Sequence, residues 1–241
     1  KKMSRVFDST AINSTQRFAN RLQSGIFPPQ RKWCRLEPGT DIPMERRGEA
    51  QRALDLYNDK LFAVLKQSNF DIAMGEFLLD LAVGTAVMLV QKGDAVSPIN
   101  FIPVPQYLVS FEEGANGQVD NVYRNMRIKG ESIQMQWKDA KIPEDLQKRI
   151  SDKPTEDVDL IEATVYNMDR GDFGYYVIDE KSKSQLVYRK MKSSPWVVSR
   201  YMKVAGEIYG RGPVLTALPD IKTLNKTKEL LLKNASLAIT G

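Results

Sequence analysis

The chain has 241 residues, enough for one large domain or two small ones, and its 42% hydrophobic and 27% charged residues are the balance of an ordinary globular protein. It has no histidine and one cysteine, Cys34, which excludes Ser-His-Asp and Cys-His catalysis, His-ligated zinc and a disulfide within the chain. The net charge of +5 is blocky: residues 1–35 hold eight Lys/Arg against Asp8 alone, 181–203 hold seven and no acid, and 144–162 hold seven acids against three bases. Such blocks either face solvent or suit an oppositely charged surface, nucleic acid or a neighbouring subunit among them.

In chain order, residues 4–24 read as a helix, with Phe7, Ala11, Phe18 and Leu22 on one face. Gly25 and Pro28-Pro29 end it, and an extended piece around Trp33–Leu36 follows. Residues 46–67 form a second helix with an apolar stripe of Ala50, Leu54, Tyr57, Leu61, Val64 and Leu65. Asp71 is the expected N-cap of a third helix, 72–83, which is apolar almost all round and therefore buried. Gly84 breaks it, and Thr85–Gln91 reads as a buried strand.

A β-rich segment follows. Strands are expected at 100–104 and 107–112, and Asn116-Gly117 signals a hairpin into 118–128. Short helices are expected at 131–138 and 143–151, then an acidic linker, 152–158. Strands at 159–168, 173–179, 185–191 and 196–203 have connections short enough for antiparallel hairpins. Gly212-Pro213 then opens a helix that runs from Val214 to Thr240 without a glycine, with Gly241 suited to a left-handed cap. Its 27 residues span roughly 40 Å, and Pro219 is expected to kink it.

The chemistry on offer is limited. No Walker-type glycine loop is present, and no metal site or cofactor is expected. Asp169, Asp172, Asp179 and Lys181 loosely follow the layout of a metal-dependent nuclease, but 179–184 also reads as a hairpin turn. Arg170-Gly171-Asp172 is read as a turn, and the glycosylation-like tripeptides at Asn13, Asn225 and Asn234 as chance matches inside helices. No apolar core follows Lys1-Lys2-Met3, so no secretion signal is expected. The best apolar run, 72–90, contains Glu76 and Asp80, so no membrane span is expected. Both ends are expected to be cut.

The long rod is the most informative element. Val214, Ala217, Leu218, Ile221, Leu224, Leu231, Ala235 and Ala238 make an apolar face suited to packing against other rods. Lys222, Lys226, Glu229 and Lys233 fall on another face. If several copies formed a ring, each lysine position would become a ring of positive charge able to meet DNA phosphates without reading sequence. Otherwise the lysines face bulk water.

Two stretches carry a family resemblance. Arg5-Val-Phe-Asp-Ser-Thr-Ala11, Arg17-Phe-Ala-Asn-Arg-Leu22, Phe27-Pro-Pro and Trp33-Cys-Arg-Leu36 resemble the start of head-to-tail connector (portal) proteins of short-tailed double-stranded DNA phages. Gly206-Glu-Ile-Tyr-Gly-Arg-Gly-Pro213, Leu218-Pro-Asp-Ile-Lys-Thr-Leu-Asn225 and Leu230-Leu-Leu-Lys233 resemble the segment leading into that family's stem helix. The resemblance covers nearly the whole chain. It implies an α+β fold, with helices packed on an antiparallel β-rich wing (1–205), followed by one projecting stem helix (206–241). The family's clip, second stem helix, channel loop and crown have no counterpart in it. It further implies a structural, non-enzymatic subunit of a dodecameric ring at the portal vertex of the virion. Double-stranded DNA would pass through the channel. The partners implied are a terminase motor, tail adaptor proteins, and capsid and scaffold proteins, with no membrane. On this reading Lys222, Lys226 and Lys233 are candidate channel contacts. Val214, Leu218, Ile221, Leu224, Leu231 and Ala235 are candidate packing positions, and the basic and acidic blocks are candidates to meet across subunits. The rivals are a monomeric basic nucleic-acid-binding protein and the metal-dependent nuclease.

Overall fold

The computed structural model describes residues 5–29 and 31–240. The expected cap at Gly241, the helix start at residue 4 and the first basic residues, Lys1 and Lys2, lie outside them. The architecture is α+β, as expected, and the chain divides into two compact units: 1–103 together with 199–241, and 104–198. The rod shares a unit with the N-terminal helices.

In the helical unit, α1 (Thr10–Ile26), α2 (Met44–Gln67) and α3 (Phe70–Val83) precede β1 (Thr85–Lys92) and β2 (Ile99–Val104). α1 starts six residues later than expected. The Asp8 carboxylate accepts the Thr10 N–H (2.9 Å), a local turn that competes with helix and leaves Phe7 off the α1 face. α3 is buried through Ala73, Met74, Phe77, Leu78 and Ala82. Its N-cap is Asn69, not Asp71. The Asn69 side chain is engaged with β2, donating to the Phe101 carbonyl (2.6 Å) and accepting the Phe101 N–H (2.9 Å). α2 turns Asn58 and Phe62 inward, whereas Tyr57, expected in the apolar stripe, points out. The reason is an aromatic cluster. Trp33 stacks on Phe70 (5.9 Å between centroids) and meets Phe62 and Phe27 edge-on, which fixes the rotation of α2.

The second unit holds β3 (Val109–Glu113), β4 (Val119–Lys129), α4 (Ser132–Gln136), α5 (Glu144–Asp152), β5 (Asp157–Asn167), β6 (Asp172–Asp179) and β7 (Gln185–Met191). The strands form one antiparallel sheet in sequence order, β3-β4-β5-β6-β7. Asn116-Gly117 does form the β3–β4 turn, with Gly117 at φ 73°, but inside a longer loop closed by Gly114 N–H to Gln118 O (2.9 Å). The expected acidic linker narrows to residues 153–156, since α5 runs to Asp152 and β5 starts at Asp157. α4 and α5 cover one sheet face, burying Ile133, Trp137 and Leu146 against Val158, Leu160 and Val177. Inside that core, Trp137 Nε1–H donates to Tyr175 OH (3.0 Å), which donates to Glu162 (2.6 Å). Arg124 faces Glu162 at 3.3 Å, and burial pushes the Tyr175 hydroxyl pKa far up.

The chain returns through β8 (Trp196–Arg200), third strand of a sheet ordered β2-β1-β8, and reaches α6 (Pro213–Thr216) and α7 (Leu218–Thr240). β8 ends three residues earlier than expected, where Tyr201 N–H bonds Gly84 O (2.9 Å). The rod is therefore one helical turn plus a 23-residue helix, joined at Ala217. The break falls where Pro219 has no N–H to return to Leu215 O.

Candidate functional site

The glycine-rich run ahead of the rod has a backbone reason. Around Gly84, Gly210 and Gly212 two chain segments touch main chain to main chain. Gly212 N–H bonds Val83 O (3.0 Å), and Gly210 N–H bonds the buried Thr85 hydroxyl (2.8 Å). A Cβ on Gly84 would sit 2.1 Å from Gly210 O, and one on Gly210 would sit 2.5 Å from Gly84 O. No side chain fits there, so the root of the rod is fixed against the α3–β1 turn by its own backbone.

A second tie comes from the N-terminal segment. Asn225 Oδ1 accepts the N–H groups of Phe7 (2.7 Å) and Asp8 (3.2 Å), and its amide donates to Arg5 O (3.1 Å). One turn on, Lys228 pairs with Asp8 at 2.9 Å. The Lys228 ammonium and the Thr10 N–H hold the Asp8 carboxyl below the usual carboxylate range. None of these residues was singled out for such a role from sequence. The partners are more than 200 residues apart, so no periodicity reports them.

The candidate packing positions divide along the rod. Val214, Leu218 and Ile221 are half-buried near the root, whereas Leu224, Leu231 (62% exposed) and Ala235 stand open. At 100° per residue the lysine stripe lies roughly 140° from this apolar face. Lys226 (3.0 Å) and Lys233 (2.6 Å) share Glu229, and their ammonium groups pull its carboxyl pKa down. The stripe of Lys222, Lys226 and Lys233 less Glu229 thus carries a net +2, not +3. The Glu229 positions at i+3 and i−4 from those lysines were the legible signal for it.

Part of each charge block is tied within the chain. Lys32 pairs with Asp59, Arg35 with Asp55, Arg189 with Asp139, and Lys190 with Asp172 (2.7 Å). From the acidic block, Asp159 is held by Arg127 (2.6 Å) and Glu162 by Arg124. The nuclease layout is not assembled. Asp172 and Asp179 begin and end β6, seven strand steps or about 23 Å apart. Asp172 is clamped by Arg170 and Lys190, and Asp179 shapes the next turn by accepting Ser182 N–H (2.9 Å) and its hydroxyl. Among the described residues no three His, Cys, Asp or Glu gather as metal ligands, and no helix is long and apolar enough to cross a membrane.

No curated protein matches the chain. The model of one family, described as bacteriophage head to tail connecting protein, matches residues 1–241. With that match over its whole length, and with an α+β fold and a glycine-rooted helix where the two resembling stretches fall, the chain belongs to the bacteriophage head-to-tail connecting proteins.

Proposed function

We propose that this chain supplies the wing (1–205) and the first stem helix (206–241) of a connector subunit that closes into a twelve-membered ring. The ring sits at the capsid vertex and conducts double-stranded DNA during packaging and ejection. The terminase motor docks on it first, and tail adaptor proteins follow. Its role is structural, not enzymatic. One observation carries the reading: a helix of 23 residues is locked at its root by backbone contacts and bears open leucines farther out. An apolar face left open on a firmly positioned rod is suited to burial between subunits.

Lys222, Lys226 and Lys233 then act as phosphate contacts that carry no base information. The test is the solution mass and particle image of the full-length protein. Closed rings with a central channel are the expected result, and a monomer at every concentration refutes the reading.

A further inference from the structure

The sheet of the β unit (104–198) has α4 and α5 on one face only. They lie over Val158, Leu160 and Val177, and side chains at the alternate positions turn to the other face. A sheet face turned to solvent is commonly polar. This one carries a row that crosses four strands: Tyr123 of β4, Ala163 of β5, Tyr176 of β6 and Tyr188 of β7 stand opposite one another. Ile161 and Ile178 flank the row on one side, Val165 and Gly174 on the other. The three tyrosines are half-buried or exposed, and so are Ile161, Val165 and Ile178. Tyr176 and Tyr188 pack with ring centroids 5.1 Å apart. A Cβ on Gly174 would fall 2.7 Å from Tyr176 Cε2 and 2.7 Å from its hydroxyl oxygen, so the Tyr176 ring is laid along its own strand over that glycine. One ring face rests on the strand and the other is turned outward.

We propose that this tyrosine row binds an uncharged, proline-rich segment of a partner protein in the polyproline II conformation. Charge selects a neutral partner. Arg127 pairs with Asp159 (2.6 Å), and Arg170 (3.3 Å) and Lys190 (2.7 Å) both pair with Asp172. Glu112 accepts the Tyr123 hydroxyl (3.2 Å) and the Asn121 amide (2.8 Å). The cations at the rim are therefore matched, whereas a stacking platform for single-stranded nucleic acid needs free ones for the phosphates. The hydroxyl groups select against a helix. That of Tyr176 has no partner among the described residues. The Tyr188 oxygen accepts from Arg170, which leaves its own hydrogen to give. A helix spends its carbonyls on itself, whereas polyproline II has no internal hydrogen bonds and offers them to such donors. Its preformed, low-entropy backbone suits an aromatic surface that is already in place. The row spans three strand spacings, about 14 Å, and at about 3.1 Å per residue about five residues cross it. The site lies wholly within one unit and does not depend on ring closure.

The test uses the full-length protein. A random dodecapeptide library displayed on yeast is sorted against the wild type and against Tyr188→Ser, a change at a position 44% exposed that leaves the fold in place. The expected result is enrichment, on the wild type alone, of uncharged sequences rich in proline. An enriched peptide, synthesised and followed by fluorescence anisotropy, binds Tyr188→Ser at least tenfold more weakly. Tyr188→Phe, which keeps the ring and loses the donor, weakens it by an intermediate amount, and decides where the serine variant melts early. Met135→Ala, at an exposed position of α4 over the other sheet face, leaves the affinity unchanged. Enrichment of charged sequences, equal recovery on the wild type and Tyr188→Ser, or no enrichment overturns the proposal. An oligothymidylate that binds the wild type and loses affinity in Tyr188→Ser overturns it too, because the row is then a platform for nucleic acid.

Discussion

Asn225 holds three backbone groups of residues 5–8 with one side-chain amide, and so ties the N-terminal segment to the rod. Asn225→Ala leaves those groups without their partner and is expected to cost roughly 1–3 kcal/mol in denaturant titrations. Asn225→Asp keeps the two accepted bonds and is expected to cost less. The neighbouring Asp8–Lys228 pair gives a pH signature. The folded pKa of Asp8 is depressed, so its contribution is fully present above the unfolded value of about 3.9 and is lost as the pH falls through the lower folded value. The stability gap between the wild type and Asp8→Asn should be constant above about pH 5 and shrink below about pH 4. In the β unit, Tyr175→Phe strips the buried Trp137 N–H and Glu162 of their shared partner, an expected loss of about 2–4 kcal/mol. Tyr188→Phe on the same sheet is 44% exposed and should change stability by less than about 0.5 kcal/mol.

At the scale of elements, the rod's direction depends on the crossing of Gly84 and Gly210. Gly210→Ala or Gly84→Ala pushes a methyl group into a carbonyl oxygen, and the backbone cannot yield without breaking the bonds at Thr85 and Val83. Each is expected to cost more than about 3 kcal/mol by thermal melting, or to prevent folding. Gly48 in α2 has nothing within 4 Å of an added Cβ, so Gly48→Ala should instead stabilise the helix by about 0.5–1 kcal/mol. The contrast separates a glycine required by close approach from one that is dispensable. The seven-residue edge strand β7 shows how little of an element's charge is available to partners, since Arg189 and Lys190 are both paired within the unit. Reading β7 as a free basic strip would therefore overstate it.

For the whole molecule, the proposed conduit places many copies of the lysine stripe around one axis. Replacing Lys222, Lys226 and Lys233 together by Gln is expected to lower DNA retention or packaging without changing sequence preference. The salt dependence of DNA binding should fall by about one unit of log–log slope for each phosphate that a lysine no longer neutralises. The variant also frees Glu229 from both lysines, so part of the effect comes from an unmasked acid. Glu229→Gln alone should shift DNA affinity the other way. Normal packaging by the triple variant would retire the lysine role while leaving the family assignment untouched.

The sequence by itself determined the α+β class, the order and nearly all the kinds of elements, and the apolar and lysine faces of the rod. These follow from period, propensity and turn chemistry within about ten residues, which a local reading captures. The apolar stripe and the separate lysine positions of the rod are such local facts. Tertiary structure alone decided why Gly210 and Gly212 are glycines, because the colliding atoms belong to Ala82, Val83, Gly84 and Arg200. It decided that Asn69 stands at the N-cap position of α3 with its side chain given to β2, and that Tyr57 points out, since the Trp33 cluster sets the rotation of α2. It also decided which charges are already matched: Lys32, Arg35, Arg189 and Asp159 meet partners 20 to 50 residues away. Contacts across such separations depend on how the chain closes on itself in three dimensions, and no local pattern encodes that closure.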